Sequence, residues 1–141
     1  MIRIVHTSDH DDEIAALDAA CFTREEAYPV SIIAASECWV ALDGDDAIGY
    51  AVAETRDGAA YLDRYGVLPS HAGRGIGKRL VRAWLRWARR NGADYAWTYT
   101  VEANAQSINA LVGCGFRAWR PEWARHGYCV WRLDFGARRG A

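Results

Sequence analysis

Residue types and spacing point to chemistry most directly in the segment Val67-Leu68-Pro69-Ser70-His71-Ala72-Gly73-Arg74-Gly75-Ile76-Gly77-Lys78. A strand runs into a glycine-rich loop, and the loop opens a helix. The first N–H groups of a helix have no intrahelical partner, and small residues let a ligand approach them closely. Such a junction binds phosphate well, and Arg74 and Lys78 add positive charge. Two familiar nucleotide loops do not fit. The GxGxxG spacing ends on Lys78 when counted from Gly73 and on Leu80 when counted from Gly75. The GxxxxGK[ST] loop fails because Gly77-Lys78 is followed by Arg79 and its first glycine would be Ala72. The strands before the loop also read as antiparallel, unlike a doubly wound sheet.

A second segment, Asn104-Ala105-Gln106-Ser107-Ile108-Asn109-Ala110-Leu111, is followed by Gly113-Cys114-Gly115-Phe116. Together with Val67-x-Pro69 and the glycine loop, it resembles the GNAT N-acetyltransferase superfamily. The resemblance covers the element order of nearly the whole chain and implies acetyl-CoA as donor. By that likeness Ala72, Gly73, Arg74, Gly75, Ile76, Gly77 and Lys78 wrap the pyrophosphate. Val67 and Leu68 pair their backbone with the pantetheine arm, and one of their amides polarises the thioester. The strands holding Val67 and Val101 splay to admit the arm, and Asn104 and Ser107 lie beside it. Arg79, Arg82 or another basic residue meets the adenosine phosphates. Two departures stand out. Ala72 occupies the family's Arg/Gln position, so a side-chain contact is lost there while the backbone N–H remains. Leu111 occupies a position often held by the tyrosine that protonates the departing thiolate.

Acetyl transfer to an amine needs a held donor, a polarised carbonyl, a neutral amine and a proton acceptor. An alkyl amine with a pKa of about 10 is mostly protonated at pH 7, so a base should take the proton. Asp63 lies four residues before Val67, and strand alternation would put both on one face. It is the first candidate, and Glu54 in the preceding strand is the second. Ser107 is a possible hydroxyl relay. Each has a structural alternative: an ion-paired surface carboxylate for Asp63 and Glu54, a helix-start residue for Ser107. His71 reads as a solvated loop residue and His126 as a turn marker. No Ser/His/Asp spacing suggests a hydrolase. Trp119-Arg120-Pro121-Glu122-Trp123 could wall an acceptor pocket, and aromatic rings near carboxylates suit a cationic amine. Trp84, Trp87, Trp97 and Trp131 read as packing residues.

These residues need elements to position them. Residues 2–6 suggest an opening strand. Ser8 caps a first helix bearing Ile14, Leu17 and Cys21, with acids in its first turn. Thr23 and Glu26 form a capping box for a second helix, which Pro29 complicates. Cys38–Leu42, Ala47–Thr55 and Ala59–Val67 are strands joined by short polar turns containing glycine, the mark of antiparallel hairpins. Ile76, Leu80, Val81, Trp84, Leu85 and Ala88 then form a helical stripe. A strand at Tyr95–Val101, a helix capped by Asn104, and strands at Phe116–Trp119 and Gly127–Phe135 complete the order β-α-α-β-β-β-α-β-α-β-β. The expected class is α+β, a single GNAT-like domain over 1–136 with a mostly antiparallel sheet of six or seven strands and about four helices. Residues 137–141 read as a tail.

The length, 141 residues, suits one domain, and 51% hydrophobic with 25% charged residues is ordinary globular composition. No run approaches the roughly 20 apolar residues of a membrane span. The start is too short and polar for a secretory signal, so a cytoplasmic protein is expected. Cys21, Cys38, Cys114 and Cys129 are scattered without metal spacing and read as buried free thiols, and no metal is expected. Residues 1–63 carry 14 acids and three arginines, net −11, whereas 64–141 carry four acids and 14 bases, net +10. This split suggests separate faces for cations and anions. The expected acceptor is a small-molecule or peptide amine, without nucleic acid as partner, and a homodimer is possible. Acceptor contacts are expected from 22–36 and 117–127. The alternative is a catalytically silent acyl-CoA-binding module. A third reading takes the arginine-rich helix as a nucleic-acid surface, which the acidic first half opposes.

Overall fold

A computed structural model of the chain describes residues 1–22 and 26–136. The order is β1 (Ile2–Thr7), α1 (Asp11–Cys21), α2 (Val30–Ala34), β2 (Glu37–Asp43), β3 (Asp46–Arg56), β4 (Ala59–Val67), α3 (Ile76–Arg90), β5 (Tyr95–Val101), α4 (Ala105–Gly113), β6 (Arg117–Trp119) and β7 (Tyr128–Asp134). It matches the expected order, with one added 3-10 turn at Pro69–His71. One seven-stranded sheet runs β1-β2-β3-β4-β5-β7-β6. Every pairing is antiparallel except β4 with β5. The expected Thr23 capping box and the tail at 137–141 lie outside the described residues.

Helices cover the two faces unequally. On one face the α3 stripe, with Leu80, Val81 and Trp84 fully buried, packs on Trp39, Ala41, Ala51, Ala53, Ala60, Leu62 and Ala96. Leu111 of α4 joins this cluster. On the other face Ile14 and Leu17 of α1 and Ile33 of α2 pack on Cys38, Tyr50 and Val52. The alternating parity of these strand residues is the period-two pattern of a sheet covered on both sides. The first helix starts differently from expectation. His10, not Ser8, is the N-cap, and it makes no side-chain cap bond. Its ring instead shares a 2.7 Å hydrogen bond with Glu13. Asp11, Asp12 and Glu13 in the first turn still favour the positive helix end.

A bulge in β4 decides which side chains reach the site. Leu62 pairs with Ala53 and Arg64 with Val52, leaving Asp63 as the extra residue. Before the bulge Ala60 and Leu62 face α3; after it Tyr65 and Val67 do. Asp63 therefore shares a face with Tyr61 and Arg64, opposite Val67. The expectation that alternation puts Asp63 and Val67 on one face is overturned, because one inserted residue reverses the alternation downstream.

Candidate active site

Strands β4 and β5 part company inside the sheet. Their parallel pairing covers only Ala59–Tyr61 with Tyr95–Trp97. Thr98 Oγ1 then donates to Leu62 O at 2.9 Å, the last tie before the gap. On its other side β4 stays paired to β3, where the Leu68 N–H donates to Ile48 O at 2.9 Å. Ladder bonds alternate along a strand, so the Val67 N–H is turned away from β3 toward the opening. Of the two amides expected to meet a donor, Val67 is the one aimed into the gap, and Leu68 is consumed by the sheet.

Gly73 and Gly75 both have left-handed backbones, at φ 79° and 75°. Nothing lies within 4 Å of where a Cβ would stand at either, so the space before the loop is open. Gly75 is the N-cap of α3 and offers no side-chain cap, which leaves the first helical amides facing outward. Ala72, Gly73, Gly75, Ile76, Gly77 and Lys78 line a cleft of about 590 Å³ together with Val67, Asn104 and Ser107. Leu68 and Arg74 do not line it. The Lys78 side chain crosses the backbone of α4, where a Cβ at Gly113 would stand 2.4 Å from Lys78 Cε. Arg79 donates one Nη2 hydrogen bond to Ile2 O of β1 at 2.9 Å. Arg82 lines a separate groove beside Leu133 and Phe135.

A smaller cleft of about 240 Å³ adjoins the first and shares Phe22, Tyr65, Asn104 and Ser107 with it. Asn104 Oδ1 accepts from Ser107 N at 3.2 Å and so caps α4. Ser107 Oγ shares a 2.7 Å hydrogen bond with the Tyr65 hydroxyl. The Tyr65 ring also reaches Gly77, where a Cβ would stand 3.2 Å away. Burial raises the Tyr65 phenol above its ordinary range, so it is protonated at neutral pH. Leu111, at the position expected of tyrosine, is fully buried in the core.

Asp63 lines the smaller cleft. Its Oδ2 is buried and has no hydrogen-bond partner among the described residues. Burial pushes its carboxyl up to about 7; the charge of Glu54 adds to this and Arg64 opposes it. Arg64 cannot neutralise it fully because α1 claims the guanidinium. Asp18, fully buried, lies 3.3 Å from Arg64 Nη1 and also accepts from Tyr50 OH at 2.5 Å and Tyr28 N at 2.6 Å. Arg64 further donates to Glu26 O and lies over the Phe22 and Tyr28 rings, at 4.4 and 3.9 Å. This network fastens the segment after α1 over β4. Glu54 pairs across the strands with Tyr61, on the same face as Asp63.

The structure thus brings together Asp63, Ser107, Asn104, Val67 and the glycine loop, with Glu54 at the border. Sequence reasoning missed Tyr65, although its place two residues before Val67 put it on the donor side. It also misread His71. The imidazole is 15% exposed, bonds Asp43 at 2.9 Å through Nε2 and Ser70 Oγ at 2.7 Å through Nδ1, and lines the larger cleft. A Ser-His-Asp chain exists here, assembled from the 3-10 turn and the end of β2. Its place at the loop's base makes it a clasp. Cys21, half-buried in the cleft wall, and the Asp18–Arg64 pair carried no sequence signal. The four cysteines are free, but only Cys38 is buried, against the expectation of buried thiols; Cys21, Cys114 and Cys129 are only half-buried. No cluster able to hold a metal occurs among the described residues. No helix there is long and apolar enough to cross a membrane.

Comparison with known proteins places the chain in a family. The acetyltransferase (GNAT) family pattern covers residues 5–116. An aminoglycoside N(6')-acetyltransferase type 1 from Klebsiella aerogenes is 31% identical over 116 residues, 77% of this chain and 70% of that one. "Probable N-acetyltransferase HLS1" of Arabidopsis thaliana is 39% identical over 62 residues, 43% of this chain. The matched region spans only 15% of HLS1's length. The paia N-acetyltransferase of Thermoplasma acidophilum, solved in complex with coenzyme A, superposes with a TM-score of 0.83. It is 13% identical, over 96% of this chain and 99% of that one, so it shares the fold. The chain belongs to the acetyltransferase (GNAT) family.

Proposed function

We propose that the protein transfers an acetyl group from acetyl-CoA to a primary amine by direct attack on the thioester. The observation that carries this reading is the junction of two clefts at the β4–β5 gap. One is lined by the glycine loop at the start of α3; the other is lined by Asp63, whose buried Oδ2 has no partner among the described residues. The loop amides and Lys78 would hold the pyrophosphate, and the gap would take the pantetheine arm as an added strand along Val67. The Val67 N–H suits the thioester oxygen, where negative charge develops. Asp63, with a pKa of about 7, takes the proton from the incoming ammonium, directly or through one water. The amine nitrogen forms the new C–N bond and the C–S bond breaks; the sulfur takes a proton from the Tyr65 hydroxyl, and the second proton that leaves the nitrogen returns to Tyr65 through Ser107 or water. A thiol of pKa about 8–9 needs little such help.

The placement of Leu111 favours a second reading, a silent acyl-CoA binder lacking the usual acid. Tyr65, bonded to Ser107 beside the gap, supports the enzyme instead. The test is thiol release from acetyl-CoA across a panel of primary amines, alongside acetyl-CoA binding by calorimetry. Amine-dependent thiol release is expected. Tight binding without release from any amine would leave the silent binder standing.

A further inference from the structure

An aromatic shelf continues from Asp63 across the part of the sheet that α1 and α2 leave bare. Cross-strand register sets Glu54 opposite Tyr61, and Tyr61 beside Trp97. Tyr61 and Trp97 stack at 4.3 Å, and Trp97 meets the edge of Trp123 at 5.2 Å. Tyr99 meets Tyr128 at 5.5 Å, beside the smaller cleft. These rings are not a closed core: Trp123 is 55%, Tyr99 45% and Tyr128 44% exposed. A contiguous exposed patch of this kind marks a binding surface.

Charge narrows what fits it. Glu26 and Asp63 line the smaller cleft, and Glu54 stands at the shelf's border. The one cation lining that cleft among the described residues, Arg64, is held by Asp18. Glu54 stands 4.0 Å from the exposed Arg56 guanidinium, a loose solvated pair that a bound ammonium can displace, so the surface offers ring faces and carboxylates, the combination that attracts ammonium groups. A short alkylamine would reach Asp63 and leave the shelf unused, and an anionic acceptor would be repelled.

We propose that the acceptor is a ring-bearing amine with more than one ammonium group, one presented to Asp63 while the ring stacks on the Trp97–Trp123 shelf and the second ammonium meets Glu54. This rests on the acetyl-transfer reading for which end of the molecule reacts.

The test measures binding to CoA-saturated protein by calorimetry for propylamine, benzylamine and 1,4-bis(aminomethyl)benzene. The diamine is expected to bind at least tenfold tighter than propylamine, with benzylamine between. Trp123→Ala, at an exposed position, should weaken the diamine threefold or more and leave propylamine and CoA unchanged, and Glu54→Gln should weaken the diamine at least threefold more than it weakens propylamine. Equal affinities for the three amines overturn the proposal, as does a diamine preference that survives both variants. A dimer that closes the shelf and dissociates in Trp123→Ala also overturns it. Acetylation is scored separately: a diamine that binds on the shelf but is never acetylated supports the shelf and defeats the acetyl-transfer reading.

Discussion

Asp63 enters the folded state as a half-buried carboxyl whose pKa rises from 3.8 to about 7. The native state therefore binds more protons than the unfolded state between those values. The stability linked to Asp63 is full below about pH 4 and lost as pH rises through about 7. Asp63→Asn should then melt at a higher temperature than the parent at pH 8, with the gap closing toward pH 4. The same change should lower kcat by about 100-fold or more, the usual worth of a positioned base. It should also abolish the rise in kcat/KM through about pH 7. A variant with normal turnover across pH would remove Asp63 as base, whatever its melting curve. Gly75 makes the complementary case on the donor side. Its φ of 75° disfavours any L-residue by about 1 kcal/mol, and a side chain there would project into the open space before the helix amides. Gly75→Glu should stay folded yet lose the thermal upshift produced by acetyl-CoA, which for the parent is about 2.7 kcal/mol at 100 times Kd. An unchanged upshift would take the glycine loop out of the donor site.

Elements hold these residues through two ties. At the base of the glycine loop, His71 bridges the 3-10 turn to Asp43 at the end of β2. Loosening it should raise the Kd for acetyl-CoA and leave kcat at saturation nearly unchanged. His71→Ala tests this, and partial recovery in His71→Gln would separate hydrogen bonding from packing. At the wall of the smaller cleft, Asp18 anchors Arg64 and Tyr28 to α1. Asp18→Ala strands a buried guanidinium, at a cost of about 3–5 kcal/mol. A fall in Tm of roughly 10 °C is expected in a thermal melt; a loss under 2 °C would show that the pair does not hold the wall. Much of this framework was readable in the residues. The helix stripe from Ile76 to Ala88, the three hairpin strands and the Asn104 cap all follow from short-range pattern. What escaped were features set by single insertions or by distant partners. The bulge at Asp63 has no local signature, yet it reverses the face of every residue before it relative to Val67. Asp18 with Arg64, and Asp43 with His71, lie 46 and 28 positions apart, beyond any helical or strand period.

At the scale of the molecule, the division of charge along the chain becomes a bias between the faces of the sheet, although Arg56, Arg64 and Arg132 also stand on the α1 side. Asp11, Asp12, Glu13, Glu26, Glu54 and Asp63 lie on or beside the α1 side, whereas Lys78, Arg79, Arg82 and Arg86 belong to α3 on the other. The β4–β5 gap connects the two. A polyanionic donor and a cationic acceptor would thus each approach the face that attracts it and meet in the gap. Fields of this kind act at long range and raise local ligand concentration, but they contribute little once both ligands are seated. Salt screens them, with a Debye length of about 10 Å at 0.1 M and about 3 Å at 1 M. Raising sodium chloride from 0.05 to 0.5 M should therefore raise KM for acetyl-CoA and for a cationic amine together, by several-fold each, with kcat nearly constant. A neutral analogue of the amine should lose the second effect and keep the first. If both KM values stay flat across that range, the charge separation reflects helix composition alone. A change confined to kcat would place its influence in the chemical step instead of in the approach of the two substrates.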